Sequence, residues 1–145
     1  MIKKLKNIIK TKKEIINYFI FGALTTLINL VVYYILTNTI INPNTAILMQ
    51  LANAISWLVA VTFAYITNKL YVFNSKNTNI LKEITSFLSS RILTLLIEAL
   101  LLYILVTLLK FNDQIIKFLV TILVIILNYI LSKLFVFKPK STDII

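Results

Sequence analysis

The chain has 145 residues, 59% hydrophobic and only 14% charged, with a net charge of +10 and neither histidine nor cysteine. That composition excludes the usual His/Cys metal sites, Ser-His and Cys-His nucleophile pairs, and disulfides. The five acidic residues, Glu14, Glu83, Glu98, Asp113 and Asp143, are spread too widely to form a carboxylate pair or a Mg²⁺ cluster, so no enzymatic activity, cofactor or metal is expected.

One glycine and two prolines in the whole chain leave little room for turns, and long helices are predicted throughout. Residues 1–16 hold six lysines (3, 4, 6, 10, 12 and 13) with isoleucine and leucine between them. The spacing puts Ile2, Leu5, Ile8 and Lys12 near one face. It fits either a basic interfacial helix on the cytoplasmic surface or a tail that only sets topology. Residues 18–41 contain no charged residue and are long enough to cross about 30 Å of hydrocarbon. The run is too long for a signal-peptide core and lacks a small-x-small cleavage site, so a retained anchor is expected. Asn42-Pro43-Asn44 reads as a turn.

A second apolar run covers about residues 46–73, followed by the hydrophilic loop Asn74-Ser75-Lys76-Asn77-Thr78-Asn79. The third run, about 84–109, carries Arg91 and Glu98 inside it. Lys110-Phe111-Asn112-Asp113 then leads to the fourth run, about 114–137, and a short tail over 139–145. The predicted fold is an all-α integral membrane four-helix bundle made of two helical hairpins. Residues 17–138 form its membrane domain.

Thirteen of the fifteen lysines and arginines fall on the side holding both termini, against Lys110 and Lys117 on the other. By the positive-inside rule both termini face the cytoplasm. The cations sit at the edges of apolar runs and are not interleaved with aromatics on one surface. The expected partners are therefore anionic membrane lipid and an anionic lipid-linked substrate, not nucleic acid.

Residues 65–73 read Tyr-Ile-Thr-Asn-Lys-Leu-Tyr-Val-Phe and residues 129–137 read Tyr-Ile-Leu-Ser-Lys-Leu-Phe-Val-Phe, identical at six of nine positions. An apolar stem, a lysine that reaches the headgroups and interfacial aromatic rings make each the end of a spanning helix. The beginnings repeat as well: a shift of 69 aligns Gly22 with Arg91, Thr25 with Thr94, Asn29 with Glu98 and Tyr34 with Tyr103. Such a repeat predicts a parallel duplication about an axis along the membrane normal. Gly22, Thr25 and Asn29 lie on one helical face, as do Arg91, Thr94 and Glu98. Asn53, Trp57, Ala60, Ala64 and Asn68 form the corresponding stripe of the second helix, with Lys117, Thr121, Val124, Asn128 and Ser132 in the fourth. These stripes are expected to point inward.

A charge near mid-membrane costs at least about 2.5 kcal/mol on insertion scales, so Arg91 and Glu98 need a reason. Seven residues apart, they share a face but are separated by about 10 Å of rise. One reading makes Arg91, with Lys69 and Lys133, a cationic site for phosphate at the cytoplasmic leaflet, gives Glu98, Asn29, Asn53 and Asn128 to a sugar, and counts Asn68 among the substrate-binding residues. The other lets Arg91 snorkel to the headgroups while Glu98 hydrogen-bonds Asn29 or Asn128.

Taken together, Phe19-Ile20-Phe21-Gly22, Asn68-Lys69-Leu70-Tyr71-Val72-Phe73, Phe87-Leu88-Ser89-Ser90-Arg91 and Asn128-Tyr129 through Phe137 resemble the GtrA-like family of small membrane proteins. The resemblance covers about residues 17–138; family members often carry Trp where this chain has Tyr71 and Phe135. It implies a role in cell-surface polysaccharide synthesis, either moving a polyprenyl-phosphate-linked sugar across the cytoplasmic membrane or partnering a polyprenyl-phosphate glycosyltransferase. A third reading is a small proton-coupled multidrug exporter, built on Glu98. Four helices enclose little volume, so a homo-oligomer or a partner is expected.

Overall fold

The computed structural model describes the backbone of residues 2–41 and 45–138, and side chains from residue 9 onward. Asn42-Pro43-Asn44 and the tail 139–145 lie outside the described residues. Residues 2–39 contain no proline, and lysine and isoleucine are both compatible with helix. Helix α1 accordingly runs unbroken from Ile2 to Thr39, 38 residues, or about 57 Å at 1.5 Å per residue. The change from basic to apolar sequence near residue 17 has no counterpart in the backbone. The lysine-rich segment is the first part of α1 and not a separate element.

The other three helices each start on a side-chain oxygen that accepts the N–H three residues on, the N-cap arrangement that satisfies an otherwise unpaired donor. Thr45 accepts from Leu48 at α2 (Ala46–Thr67), Asn79 from Lys82 at α3 (Ile80–Leu102), and Asn112 from Ile115 at α4 (Asp113–Leu131). With their continuations, all four helices are long and apolar enough to cross a membrane. The chain is a multi-pass membrane protein. Its exposed residues include Leu27, Leu30, Leu58, Leu96, Leu100 and Leu119, side chains that lipid accepts.

Three helices end in π-helical turns, over Asn68–Val72, Tyr103–Leu108 and Ser132–Val136. Their i→i−5 bonds are well formed: Phe73 N–H to Asn68 O at 2.9 Å, Leu109 N–H to Ile104 O at 3.0 Å and Phe137 N–H to Ser132 O at 2.8 Å. Two of the three duplicate one another, because Asn68–Val72 and Ser132–Val136 are the repeated lysine-aromatic endings. After the first two π turns the chain leaves through a left-handed residue, Asn74 (φ 52°) and Lys110 (φ 58°). Asparagine tolerates this conformation, whereas for lysine it costs about 1–2 kcal/mol. Lys110→Gly is expected to raise unfolding free energy by about 1 kcal/mol in detergent titrations, provided the added backbone freedom of glycine takes back only part of the gain.

The chain divides into two compact units, residues 1–74 and 75–145, each a hairpin. In the first, α1 packs along α2, whose buried residues Ala52, Ser56, Ala60 and Ala64 recur every four positions. Small side chains at that spacing let a neighbouring backbone approach closely. The open end of this hairpin is tied by Asn17 Nδ2, which donates to Tyr71 O at 3.0 Å. Phe21 stacks on Tyr71 at 5.4 Å, and Tyr18 meets Phe73 at 6.5 Å with the rings inclined 55°. In the second hairpin α3 packs with α4, and Phe87 meets Phe137 at 5.9 Å and 53°. The shift of 69 carries Tyr18 onto Phe87 and the shift of 64 carries Phe73 onto Phe137. Both repeat registers therefore converge on the same ring pair, made once in each unit.

Candidate functional site

In the second hairpin two cross-links join α3 to the end of α4. The outer one is the Phe87–Phe137 ring pair, with both residues buried. The inner one is a hydrogen bond in which the Thr94 hydroxyl donates to Asn128 Oδ1 at 2.9 Å. Thr94 is almost fully buried. Between these rungs lie Ser90 and Arg91 on α3, and Tyr129, Ser132 and Lys133 on the other strand of the hairpin. Arg91 is four residues beyond Phe87 and Lys133 four before Phe137, so each lies about one helical turn from the ring pair.

The cations are held by aromatic faces. The Arg91 guanidinium carbon stands 4.7 Å from the centroid of the Phe87 ring. Lys133 Nζ donates to Tyr129 Oη at 3.1 Å and lies 5.5 Å from that ring's centroid. A planar guanidinium stacked on a ring has the fork of N–H groups whose geometry suits carboxylate or phosphate oxygens. Ser132, at the head of the π turn, is fully buried and its hydroxyl has no hydrogen-bond partner.

Within its own hairpin Glu98 bonds Lys117, and Asn128 bonds Thr94. The Glu98 carboxylate forms an ion pair with Lys117 at 2.5 Å. Lys117 lies in the second turn of α4, at the head of the stripe expected for that helix. The Glu98 side chain is 19% exposed and that of Lys117 58%, so the acid is the enclosed member of the pair.

In the first hairpin Asn53 lies on the exposed side of α2, next to Ala52, which is buried. The buried row is thus Ala52, Ser56, Ala60, Ala64 and Asn68, one residue off the predicted stripe at its start, and Trp57 is half-buried. Asn68 is buried, and its Oδ1 has no partner; the same is true of Asn29 Oδ1. Lys69 is the second residue of the first π turn, as Lys133 is of the last. Gly22 is exposed, and a Cβ there would meet nothing within 4 Å.

Two residues have roles that the sequence does not disclose, although Phe87 heads the Phe87–Arg91 motif. Phe87 is fully buried beneath Arg91, and an aromatic in an apolar run gives no signal of such a role. Glu83, 1% exposed, accepts a hydrogen bond from Ser75 Oγ at 2.7 Å in the first turn of α3. An acidic group there complements the helix dipole. A signal for it did exist, since the shift of 69 carries Glu14 onto Glu83.

Residues 17–137 match the sequence model of the family described as "GtrA/DPMS, transmembrane domain". The chain is 37% identical over 131 residues to the "Cell wall teichoic acid glycosylation protein GtcA" of Listeria monocytogenes, covering 88% of this chain and 87% of that one. It is 40% identical over 129 residues to the "Uncharacterized membrane protein YwcD" of Bacillus subtilis, covering 87% and 98% respectively. The protein of Listeria innocua that bears the GtcA name is 36% identical over 131 residues, covering 88% of this chain and 87% of that protein. No solved structure matches.

Proposed function

The chain belongs to the GtrA/DPMS transmembrane-domain family, and from that premise we propose that it serves cell-wall polysaccharide glycosylation by handling a polyprenyl-phosphate-linked sugar at the cytoplasmic membrane. The glycosylated polymer is of the teichoic acid class, as the names of the Listeria relatives indicate for those proteins. The protein moves the lipid-linked sugar between leaflets and catalyses no bond chemistry itself. Both termini and the loop 74–79 face the cytoplasm, on the thirteen-to-two lysine and arginine count.

The observation that carries this reading is the second hairpin's cation site. Arg91 stacks on the buried Phe87, and Lys133 lies at a similar depth one turn in from the same ring pair. A cation in a span is costly and is kept for an anionic partner, and a lipid phosphate is an anion available at that depth. Glu98, engaged by Lys117, lacks the unpaired carboxylate that proton-coupled drug export would use.

A second reading, assembly with a glycosyltransferase, is favoured by α1. Its length of about 57 Å exceeds the roughly 30 Å hydrocarbon core by some 27 Å. The excess is the lysine-rich segment, where Ile9 and Ile16 are exposed.

Cells lacking the chain separate the two readings. If it translocates the sugar, lipid-linked sugar accumulates on the cytoplasmic leaflet while the wall polymer loses its glycosyl groups. If it only assembles the transferase, lipid-linked sugar falls as well. Unchanged wall glycosylation would overturn both.

A further inference from the structure

Helix α1 continues outward past the level at which the first hairpin closes. Asn17 and Tyr18, which meet Tyr71 O and the Phe73 ring, mark that level, and aromatic rings of this kind belong at the membrane–water interface. Residues 2–16 extend the same helix by about 22 Å, whereas the headgroup layer is about 5–8 Å deep on each side. Neither proline nor glycine occurs before Gly22. The backbone therefore offers no break at which this arm could fold down onto the headgroups, as a helix lying in the interface must. The arm also repeats every seven residues, reading Ile-Lys-Lys-Leu-Lys-Asn-Ile over 2–8 and Ile-Lys-Thr-Lys-Lys-Glu-Ile over 9–15. Isoleucine returns at 2, 9 and 16 and at 8 and 15, and lysine at 3 and 10 and at 6 and 13. Apolar positions recurring by sevens are the pattern of a helix that packs along another helix. In the second heptad Ile9 is 62% exposed, and Ile16 after it 58%; Ile15, Lys10, Lys12 and Lys13 are exposed as well.

An isoleucine stripe held beyond the headgroups calls for an apolar cover, and charge decides which. Residues 2–16 carry six lysines and a single acid, Glu14, so a second copy of this chain would set lysine against lysine. Lys12 stands within the apolar stripe, at the position that Leu5 holds one heptad earlier. A charge at such a position selects the partner, and the register, that answers it. We propose that residues 2–16 form a docking helix for an acidic amphipathic helix of a cytoplasmic partner protein. The partner's apolar stripe covers Ile9, Ile15 and Ile16, with an aspartate or glutamate against Lys12 and others along Lys10 and Lys13. This inference rests on the assembly reading for the existence of a partner and adds the partner's chemistry and the surface it meets. It uses none of the cation-site residues.

The test places a photo-crosslinking amino acid at position 9 or 16 of the full-length protein in living cells. Position 27, where Leu27 is exposed within the span, serves as the lipid-facing reference. Cross-linked peptides are sequenced by mass spectrometry. Positions 9 and 16 are expected to join the same acidic amphipathic segment of one protein. Lys12→Glu combined with Lys13→Glu is expected to lower the adduct yield about tenfold, since like charges then face each other. Lys12→Arg combined with Lys13→Arg should leave the yield unchanged. The reversal keeps eleven lysines and arginines on that side against two, so orientation holds, and it lies outside the ring pair that closes the hairpin. Adducts to lipid alone would mean that the arm lies on the membrane, and adducts to a second copy that it self-associates. Either result overturns the proposal, as does the absence of a protein adduct, a partner segment without acids, or a yield indifferent to charge reversal. If lipid-linked sugar falls in cells lacking the chain but no acidic-helix adduct forms, assembly stands and this inference fails. An acidic-helix adduct without that fall sinks the transferase reading and leaves the docking helix in place.

Discussion

Arg91→Ala is expected to weaken binding of a polyprenyl phosphate by about ten- to a hundredfold, the effect of losing a charge-assisted hydrogen-bonding group worth roughly 1.5–3 kcal/mol. Wall glycosylation should fall with it, at unchanged protein level. The competing account, in which Arg91 merely snorkels to the headgroups, makes the opposite statement about energy. Removing a charge that serves nothing relieves an insertion cost of about 2.5 kcal/mol, so the variant would be more stable and fully active. Arg91→Lys separates charge from shape. It keeps the cation and loses the planar edge that lies over Phe87 at 4.7 Å. Intermediate binding is expected, and affinity equal to wild type would reduce the role of Phe87 to packing. The readout is lipid affinity in nanodiscs beside an unfolding titration on the same samples.

The second large effect concerns Glu98 and Lys117, whose two single variants should differ. Lys117→Met leaves the enclosed carboxylate without its partner and is expected to destabilise the protein by about 2.5–3.5 kcal/mol. Glu98→Gln leaves a lysine that is already 58% exposed in the second turn of α4, from where its long stem reaches the interface. The expected loss is about 1 kcal/mol or less. Combining the two should restore most of the stability lost in Lys117→Met, because two neutral side chains replace a pair that is costly to desolvate. Unfolding of the two single variants and the double variant closes a double-mutant cycle. Equal losses in the single variants would show that the acid is not the enclosed member.

Much of the fold was legible because membrane spans are set by length and apolarity, and repeats by identity. The expected runs 46–73, 84–109 and 114–137 correspond to spans Ala46–Val72, Ile80–Leu108 and Asp113–Val136. The two shifts, 69 and 64, meet at the ring pairs Tyr18–Phe73 and Phe87–Phe137. Thr94 and Asn128, placed on facing stripes by helical period alone, form a hydrogen bond.

What was not legible depends on partners across helices. Polarity puts the expected α2 stripe through Asn53, while close packing in lipid selects small residues, and Ala52 is the buried neighbour. The sequence offers Asn29 and Asn128 to Glu98 because they share its polar stripes; the pairing of α3 with α4 brings it to Lys117 instead. The π turns have no signature in residue type that would distinguish them from α-helix.

The π turns also record an order of events. A π turn accommodates one residue more than the α turn it replaces, so it is a one-residue insertion preserved in the backbone. Asn68–Val72 and Ser132–Val136 carry it at the same place in both copies, which is most simply explained if the ancestral hairpin had it before the gene doubled. The copies differ elsewhere, with Gly22 against Arg91, Asn29 against Glu98 and Asn53 against Lys117. The third π turn, Tyr103–Leu108, corresponds under the shift of 69 to residues 34–39 of α1, which remain α-helical. The lysine ending and its π turn are thus the part the two copies hold in common, and the charged interior belongs to the second copy alone.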